Sequence, residues 1–158
     1  MSRAFVKEDD SAPPPPPLER PVSSAPNLVT PRGARLIDEE VENIEAALGA
    51  EPNEEKAAAL RRDLNYWLAR RASAQLIEPN SEPGAVGFGA RVRILREGEE
   101  SEVWIVGEDE ADPDSGLIAW TSPLARALEE GEPGDIVELA AGGRTIAIEI
   151  LAVGPGES

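Results

Sequence analysis

The sequence predicts an α+β protein in which an antiparallel helical hairpin (coiled coil) precedes a small β-rich domain with one helix. Two successive patterns of apolar residues predict this architecture. Apolar residues alternate at spacings of three and four from Ile37 to Ala74, whereas the period is two from Val92 onward. Between the two patterns, residues 78–85 contain two prolines and a glycine and form the predicted linker.

The net charge and the missing residue types exclude several kinds of binding partner and of catalytic chemistry. The 158 residues carry a net charge of −16, which argues against wrapping duplex DNA or binding an anionic membrane surface. A protein surface rich in arginine and lysine is the better match. With neither Cys nor His, the chain has no thiol or imidazole catalyst and lacks the usual zinc ligands. We therefore predict a cytoplasmic monomer without a cofactor, a metal of its own or a membrane partner.

Both ends of the chain are predicted to be disordered. Residues 1–27 are acidic and rich in proline, with an unbroken run from Pro13 to Pro17 that favours polyproline II. Residues 154–158 form the second tail. The hairpin is assigned to 28–77 and the β-rich domain to 86–153.

The first predicted helix starts at a strong N-terminal signal. Thr30 is a hydroxyl cap, and Pro31 suits the first helical position. The helix is expected to stop at Gly49. Its seam consists of Ile37, Val41, Ile44 and Leu48.

A short acidic turn around Pro52 leads into the second helix, predicted from Glu54 to Leu76. The predicted seam of this helix is Ala57, Leu60, Leu64, Trp67, Arg71 and Ala74. The first arm is acidic and the second basic, so the arms should attract. Arg61, Arg62 and Arg70 either pair with the acidic arm or face a nucleic acid.

Five strands and one helix are expected after the linker. Val92 and Ile94 alternate with arginines in the first strand, and Ile146, Ile148 and Ile150 share one face of the last. Ser122 and Pro123 open the helix, and Gly131 closes it. The five acids within 108–114 are expected to form a solvated turn, because a calcium loop of the EF-hand type would need a closing Glu that is missing.

Several ordered strings resemble the GreA/GreB family of transcription elongation factors. The residues in question are 105–112 (IVGEDEAD), 116–118 (GLI), 122–128 (SPLARAL), 134–138 (GDIVE), Gly142-Gly143, and 86–92 with Phe88-Gly89-Ala90. Upstream, 31–33 (PRG) and 73–76 (SAQL) are similar to the two ends of that family's coiled coil. The resemblance covers residues 28–153.

This resemblance implies a fold and a partner. The C-terminal domain would be an FKBP-like antiparallel sheet that grips RNA polymerase core near its secondary channel, and the hairpin would enter the channel. The resemblance assigns polymerase binding to Thr121, Ser122, Pro123 and Asp112. Thr121 stands where the family usually has Asp or Asn, and Ser122-Pro123 is also an ordinary helix start. Contact with transcript RNA or DNA would be indirect.

In cleaving members of the family, two acids at the hairpin tip help hold a Mg²⁺ in the polymerase active centre. Glu51 and Glu54 have the corresponding spacing here, and Glu55 follows. Each arm is roughly ten residues shorter than in those members, which leaves the tip ~15 Å short. Metal–oxygen bonds are only ~2 Å long, so no side chain bridges that gap. The chain in this respect resembles short-coil relatives such as the nucleoside diphosphate kinase regulator proteins, and we expect a regulator of elongation with weak or absent cleavage activity. The alternative is a cleavage stimulator that shares Glu51 and Glu54 with the polymerase Mg²⁺ site.

Two further classes remain open. FKBP-like folds include prolyl isomerases, but these use an aromatic-lined pocket, and the domain offers only Phe88, Trp104 and Trp120. A pure interaction module, with the hairpin pairing against another coiled coil, is the other class. We expect a polymerase-binding factor that is not itself an enzyme.

Overall fold

The computed structural model describes residues 19–157 and has the predicted α+β architecture. A pair of helices comes first, and a curled five-stranded sheet with a short helix follows. Most of the predicted N-terminal tail, residues 1–18, lies outside the described residues. Within residues 19–157, no helix is long and apolar enough to cross a bilayer.

The two arms of the hairpin are helix α1 (Pro31–Gly49) and helix α2 (Glu54–Ser73). The Thr30 hydroxyl accepts a hydrogen bond from Gly33 N at 3.0 Å, which confirms the predicted cap. Asn53 caps α2 in the same way by accepting from Lys56 N at 3.0 Å. Ile37, Val41 and Ala57 are buried between the arms, as the apolar spacing predicts.

The end of α2 corrects the sequence prediction. The helix stops at Ser73, and Ala74 turns to an extended conformation. Strand β2 (Gln75–Leu76) then pairs in parallel with strand β1 (Leu28–Val29). Gln75 N donates to Asn27 O at 2.8 Å, and this inter-strand pairing replaces a further helical turn. The hairpin is therefore closed at its base by a short sheet.

The seam of α2 also differs near the base. Arg70 is 1% exposed, whereas Arg71, which the spacing placed on the seam, is exposed. A strict alternation of three and four drifts relative to a straight helix, so a heptad pattern misplaces residues far along it. The residue that reaches the interior is therefore an arginine that needs a buried partner.

The C-terminal sheet has the strand order β5-β4-β3-β7-β6. Its strands are β3 (Arg91–Arg96), β4 (Glu99–Val106), β5 (Leu117–Ala119), β6 (Ile136–Ala141) and β7 (Arg144–Gly154). The expectation of a purely antiparallel sheet is wrong, because β4 and β5 pair in parallel. Two 3-10 turns, at Glu108–Glu110 and Pro113–Ser115, carry the chain back between these strands.

The core of this domain lies between the sheet and helix α3 (Pro123–Leu128). Its buried side chains include Val92, Ile94, Leu128, Ile148 and Ile150, so the predicted inward faces of the first and last strands are confirmed.

The last strand continues further than the sequence boundary at residue 153 suggests. Strand β7 extends through Gly154, and Glu157 forms an ion pair with Arg91 at 2.9 Å. The described residues after 153 are therefore attached to the sheet and do not form a detached tail.

Candidate functional site

A cleft of about 820 Å³ opens on the C-terminal domain. One wall comes from β4, β5 and the turn before β5, and the other from the end of β6. Ser122, Pro123 and Leu124, where α3 starts, also line the cleft. Apolar groups from Val103, Ile118 and Leu139 contribute to its surface. This is a concave and partly apolar surface of the kind that proteins use for binding.

The four predicted polymerase-binding residues lie in or beside this cleft. Ser122 caps α3 by accepting from Ala125 N at 3.3 Å, and Pro123 is exposed next to it. Thr121 precedes them, and its carbonyl accepts from Arg126 Nε at 3.1 Å. The Asp112 carboxylate accepts from the hydroxyl of Ser115, a lining residue, at 2.8 Å. The fold therefore gathers these residues around one surface, and their binding role stays a prediction.

The acids at the hairpin tip do not converge on one point. Glu51 Oε1 accepts from Asn53 N at 3.0 Å, so this carboxylate is engaged in the turn itself. The Glu54 side chain is 92% exposed and lies 3.7 Å from Arg61, and Glu55 is exposed. Among residues 19–157, no group of three or more acids is arranged to hold a metal ion. The tip thus presents separate carboxylates on a capped turn.

The three arginines considered for nucleic-acid contact have different surroundings. Arg61 is exposed on α2 and pairs with Glu54 of the same helix. Arg62 is half-buried, and its Nε has no hydrogen-bond partner in the described part of the chain. Arg70 is buried, so a nucleic-acid-facing role for it is wrong. None of the described ion pairs joins α2 to the acidic arm α1. The opposite charges of the two arms therefore do not form direct salt bridges between the arms.

Arg70 instead joins the hairpin to the C-terminal domain. Its Nε lies 2.6 Å from Asp109 Oδ2, with both side chains at least nine-tenths buried. Its NH2 donates to Asn27 Oδ1 at 2.8 Å. The Tyr66 hydroxyl donates to the other oxygen of Asp109. Helix α2, the segment before β1 and the 3-10 turn after β4 therefore meet in one buried polar network.

A second buried network surrounds Glu110. Its carboxylate accepts from the Thr30 hydroxyl at 2.6 Å and from Gly107 N at 3.1 Å. Arg32 NH1 lies 3.6 Å from the same carboxylate. Glu110 thus fastens the start of α1 to the C-terminal domain. We call the Arg70–Asp109 and Thr30–Glu110 networks together the interdomain joint.

The prediction that all five acids within 108–114 form a solvated turn is wrong for two of them, because they are buried in the interdomain joint. Asp112 and Asp114 are exposed as expected, but Asp109 and Glu110 are the acceptors of the joint. Sequence reasoning missed them because five acids within seven residues look alike without knowledge of what packs against them. The signal that could have found them is an arginine on the apolar seam of α2, because a buried arginine requires an acidic partner; the spacing indicates Arg71, whereas the buried residue is Arg70.

Tyr66 provides a pH-dependent test of the joint. Burial, followed by the hydrogen bond to Asp109, raises the pKa of Tyr66 to about 12. The unfolded chain releases this proton near pH 10, so the stabilisation is complete below pH ~10 and is lost as pH rises to about 12. We expect the free energy of unfolding to fall across that interval in the wild type and less in Tyr66→Phe.

The measurement is direct because Tyr66 is the only tyrosine in the chain. The ultraviolet absorbance of tyrosinate should titrate near pH 12 in the native protein and near pH 10 in denaturant. A native midpoint equal to the denatured one would show that the phenol is not held in the joint.

Comparison with known proteins agrees with this two-part organisation. A family model described as "Transcription elongation factor, GreA/GreB, C-term" matches residues 80–155. "Transcription elongation factor GreA" of Cereibacter sphaeroides (strain ATCC 17025 / ATH 2.4.3) is 35% identical over 158 residues, which cover 97% of this chain and 95% of that protein. The protein of the same name from Jannaschia sp. (strain CCS1) is 45% identical over 82 residues, or 51% of this chain. That match spans about half the relative's length, 53%.

Two solved structures match the chain at low identity and low TM-score. GreA factor homolog 1 (Gfh1) of Thermus thermophilus is 17% identical with a TM-score of 0.40, covering 82% of this chain and 99% of that one. A GreA/GreB factor from Nitrosomonas europaea is 21% identical with a TM-score of 0.40, covering 83% and 99%.

The class of protein is that of a helical hairpin joined through a buried ion pair and a buried carboxylate to a small mixed-sheet domain that carries a cleft. On the near-full-length similarity to the Cereibacter protein, the chain belongs to the GreA/GreB family of transcription elongation factors.

Proposed function

We propose that this protein binds bacterial RNA polymerase core through the cleft of its C-terminal domain and regulates transcription elongation with its hairpin. The observation that carries the proposal is the 35% identity to a transcription elongation factor across 97% of the chain. The cleft supports it, because Ser122 and Pro123 line it and Thr121 and Asp112 flank it. The net charge of −16 suits a protein partner with a basic surface.

The factor is proposed to act by binding, without an active site of its own. Prolyl isomerases on related folds use an aromatic-lined pocket. The described residues that line this cleft include no aromatic ring; Phe88, Trp104 and Trp120 all lie elsewhere. The cleft therefore supports a docking surface better than an isomerase site.

Blocking the cleft should weaken polymerase binding. Ala141 ends β6 on the same face as Leu139 and lines the cleft, so the ring of Ala141→Trp would fill this space. We expect at least a tenfold increase in the Kd for polymerase core, equivalent to ~1.4 kcal/mol, and a smaller increase for Pro123→Ala. Fluorescence anisotropy with labelled protein would measure both.

The matched control is Glu138→Trp, which adds the same ring to the same strand at an exposed position that does not line the cleft. Equal Kd values for Ala141→Trp and Glu138→Trp would exclude the cleft as the docking surface. If the wild-type protein fails to bind polymerase core at all, the proposed function is wrong.

The hairpin is proposed to regulate the polymerase without lending carboxylates to its chemistry. Arms of 19 and 20 residues are about 30 Å long, and the Glu51 carboxylate is engaged by Asn53 N. We expect little or no shortening of the transcript in backtracked elongation complexes, and no difference between the wild type and the Glu51→Ala/Glu54→Ala variant. Efficient shortening that disappears in this double variant would establish the alternative, a cleavage stimulator.

A further inference from the structure

Strand β6 lies at the edge of the C-terminal sheet and pairs with β7 on one side only. The two-residue turn Gly142-Gly143 joins the two strands, and the residues on either side of this turn pair with each other. In such a hairpin those flanking residues exchange hydrogen bonds, and the direction of the main-chain groups alternates from there along the strand. The main-chain groups that face away from β7 are therefore those of Ile136, Glu138 and Ala140.

The outer side of β6 is free within residues 19–157. No backbone hydrogen bond described outside the β6–β7 pairing uses a residue of β6. Ile136 is 67% exposed, and Glu138 and Ala140 are exposed as well. Edge strands are commonly protected from further pairing by proline, by a bulge or by being very short. β6 has six residues, no proline and a regular register with β7, so it can accept another strand.

The chain that leads into this edge is acidic. Residues 129–138 contain no Lys or Arg. None of the described ion pairs uses an acid of this stretch, and all of these acids are exposed. A segment that carries Lys or Arg is therefore attracted to the edge, whereas a second copy of this chain, with its net charge of −16, is repelled. The acids are Glu129, Glu130, Glu132, Asp135 and Glu138.

The side chains of β6 alternate between two surroundings. Val137 and Leu139 are half-buried and pack against the core, whereas Glu138 points to the opposite, exposed face of the sheet. The side chains of an added strand alternate in the same way. Its apolar side chains would extend the row of Val137 and Leu139, and its basic side chains would lie beside Glu138.

We propose that β6 binds an extended protein segment of alternating basic and apolar residues as an added antiparallel strand. Hydrogen bonds to the main chain of Glu138 and Ala140 provide the affinity, and the alternation of side chains provides the specificity. In an antiparallel pair, a lysine opposite Glu138 directs its own N–H and C=O toward β6, and its apolar neighbours direct theirs away. Binding is a property of the free protein and does not depend on the proposed polymerase interaction.

Amide hydrogen exchange measured by NMR tests whether the edge is free. In the protein alone we expect slow exchange at Val137 and Leu139, whose amides face β7, and fast exchange at Glu138 and Ala140. Slow exchange at Glu138 and Ala140 would show that the edge is already covered, and would overturn the proposal.

A synthetic peptide tests the binding itself. The probe is the labelled peptide Lys-Val-Lys-Val-Lys-Val-Lys, and fluorescence anisotropy measures its Kd. Methylation of the lysine amide nitrogens removes the donors that face β6 and should raise the Kd by about fivefold or more. Methylation of the valine amide nitrogens removes donors that face away and should change the Kd little. Failure of the parent peptide to bind, equal Kd values for the two methylated forms, or a larger loss for the valine form would each overturn the proposal.

A proline on β6 provides the corresponding change in the protein. Ala140→Pro removes an outward N–H but no hydrogen bond to β7, and edge strands accept proline at such positions. Ala140→Val adds the same number of carbon atoms and keeps the N–H. We expect a Kd about fivefold higher for Ala140→Pro than for Ala140→Val, and equal values would contradict strand addition. The methylated peptides decide the question with the wild-type protein if Ala140→Pro is unstable.

Two further measurements test the choice of a basic segment. Glu138→Gln should raise the Kd of the peptide by about twofold to fivefold, and an unchanged value would mean that charge does not select the partner. Sedimentation equilibrium of the protein alone should show a monomer. A dimer that dissociates in Ala140→Pro would make a second copy of the chain the occupant of the edge, and would overturn the proposal.

Discussion

Replacing Asp109 by alanine should lower the free energy of unfolding by about 3–5 kcal/mol, because it leaves Arg70 charged and buried without its partner. The loss should exceed that of an ordinary hydrogen bond, since Tyr66 and Arg70 both use this carboxylate. Denaturant unfolding followed by far-ultraviolet circular dichroism measures the change.

The control for this variant is Arg144→Ala. Arg144 pairs with Glu97 at 2.8 Å, but its side chain is 67% exposed, so its removal should cost less than about 1 kcal/mol. A second comparison replaces both partners with apolar residues, Arg70→Met/Asp109→Leu, and should recover much of the stability. If Asp109→Ala costs no more than Arg144→Ala, the joint does not hold the domains together.

Gly107→Ala should destabilise the joint, because the glycine packs directly against a backbone atom. A Cβ at Gly107 would lie 2.5 Å from the carbonyl oxygen of Leu28, a backbone atom of β1 that is held by the pairing with β2. It would also lie 3.2 Å from Glu110 Oε2. Overpacking of this kind costs about 1–3 kcal/mol. Thermal unfolding should therefore show a lower Tm.

Gly87→Ala is the matched comparison, because its Cβ would meet nothing within 4 Å. Neither glycine has a positive φ, so backbone strain does not distinguish them. We expect Gly87→Ala to be neutral or to stabilise the protein by up to about 1 kcal/mol, through the reduced entropy of the unfolded chain. Equal effects of the two substitutions would mean that the close approach of β1 to Gly107 is not maintained in solution.

Much of the fold was accessible from local patterns. The cap at Thr30, the apolar positions Ile37 and Val41, and the alternation of Val92 and Ile94 each depend on neighbours within one or two turns of the chain. The helix start at Ser122-Pro123 is of the same kind. Such features are readable because the residues that define them also satisfy each other's hydrogen bonds and burial.

Most of the errors concern contacts between distant segments. The helical pattern predicts that α2 continues through residues 75–76, but these residues form a strand because their partner strand lies 47 residues earlier, at 28–29. The parallel pairing of β4 and β5 depends on how the chain folds back between them. Arg71 was placed on the seam in place of Arg70, because a small drift in helical phase accumulates along α2.

The residues of the candidate site also fall into two groups: those that the sequence indicates, and those that only the folded structure reveals. Sequence strings alone indicated Thr121, Ser122, Pro123 and Asp112, and the fold brings these residues to one cleft. Asp109, Glu110, Tyr66 and Asn27 had no distinguishing pattern, and their importance comes only from being buried together.

The sequence by itself determined the two-part architecture, the family and the surface on which docking is proposed, because these follow from periodicity, caps and ordered strings. Only the tertiary structure decided how the two parts are joined and where residues 19–27 lie against α2. The physical reason is that a buried ion pair or a stacked guanidinium forms only where a partner from another part of the chain excludes water from the charged group. That partner lies 39 residues away for Arg70 and more than 40 for Arg20.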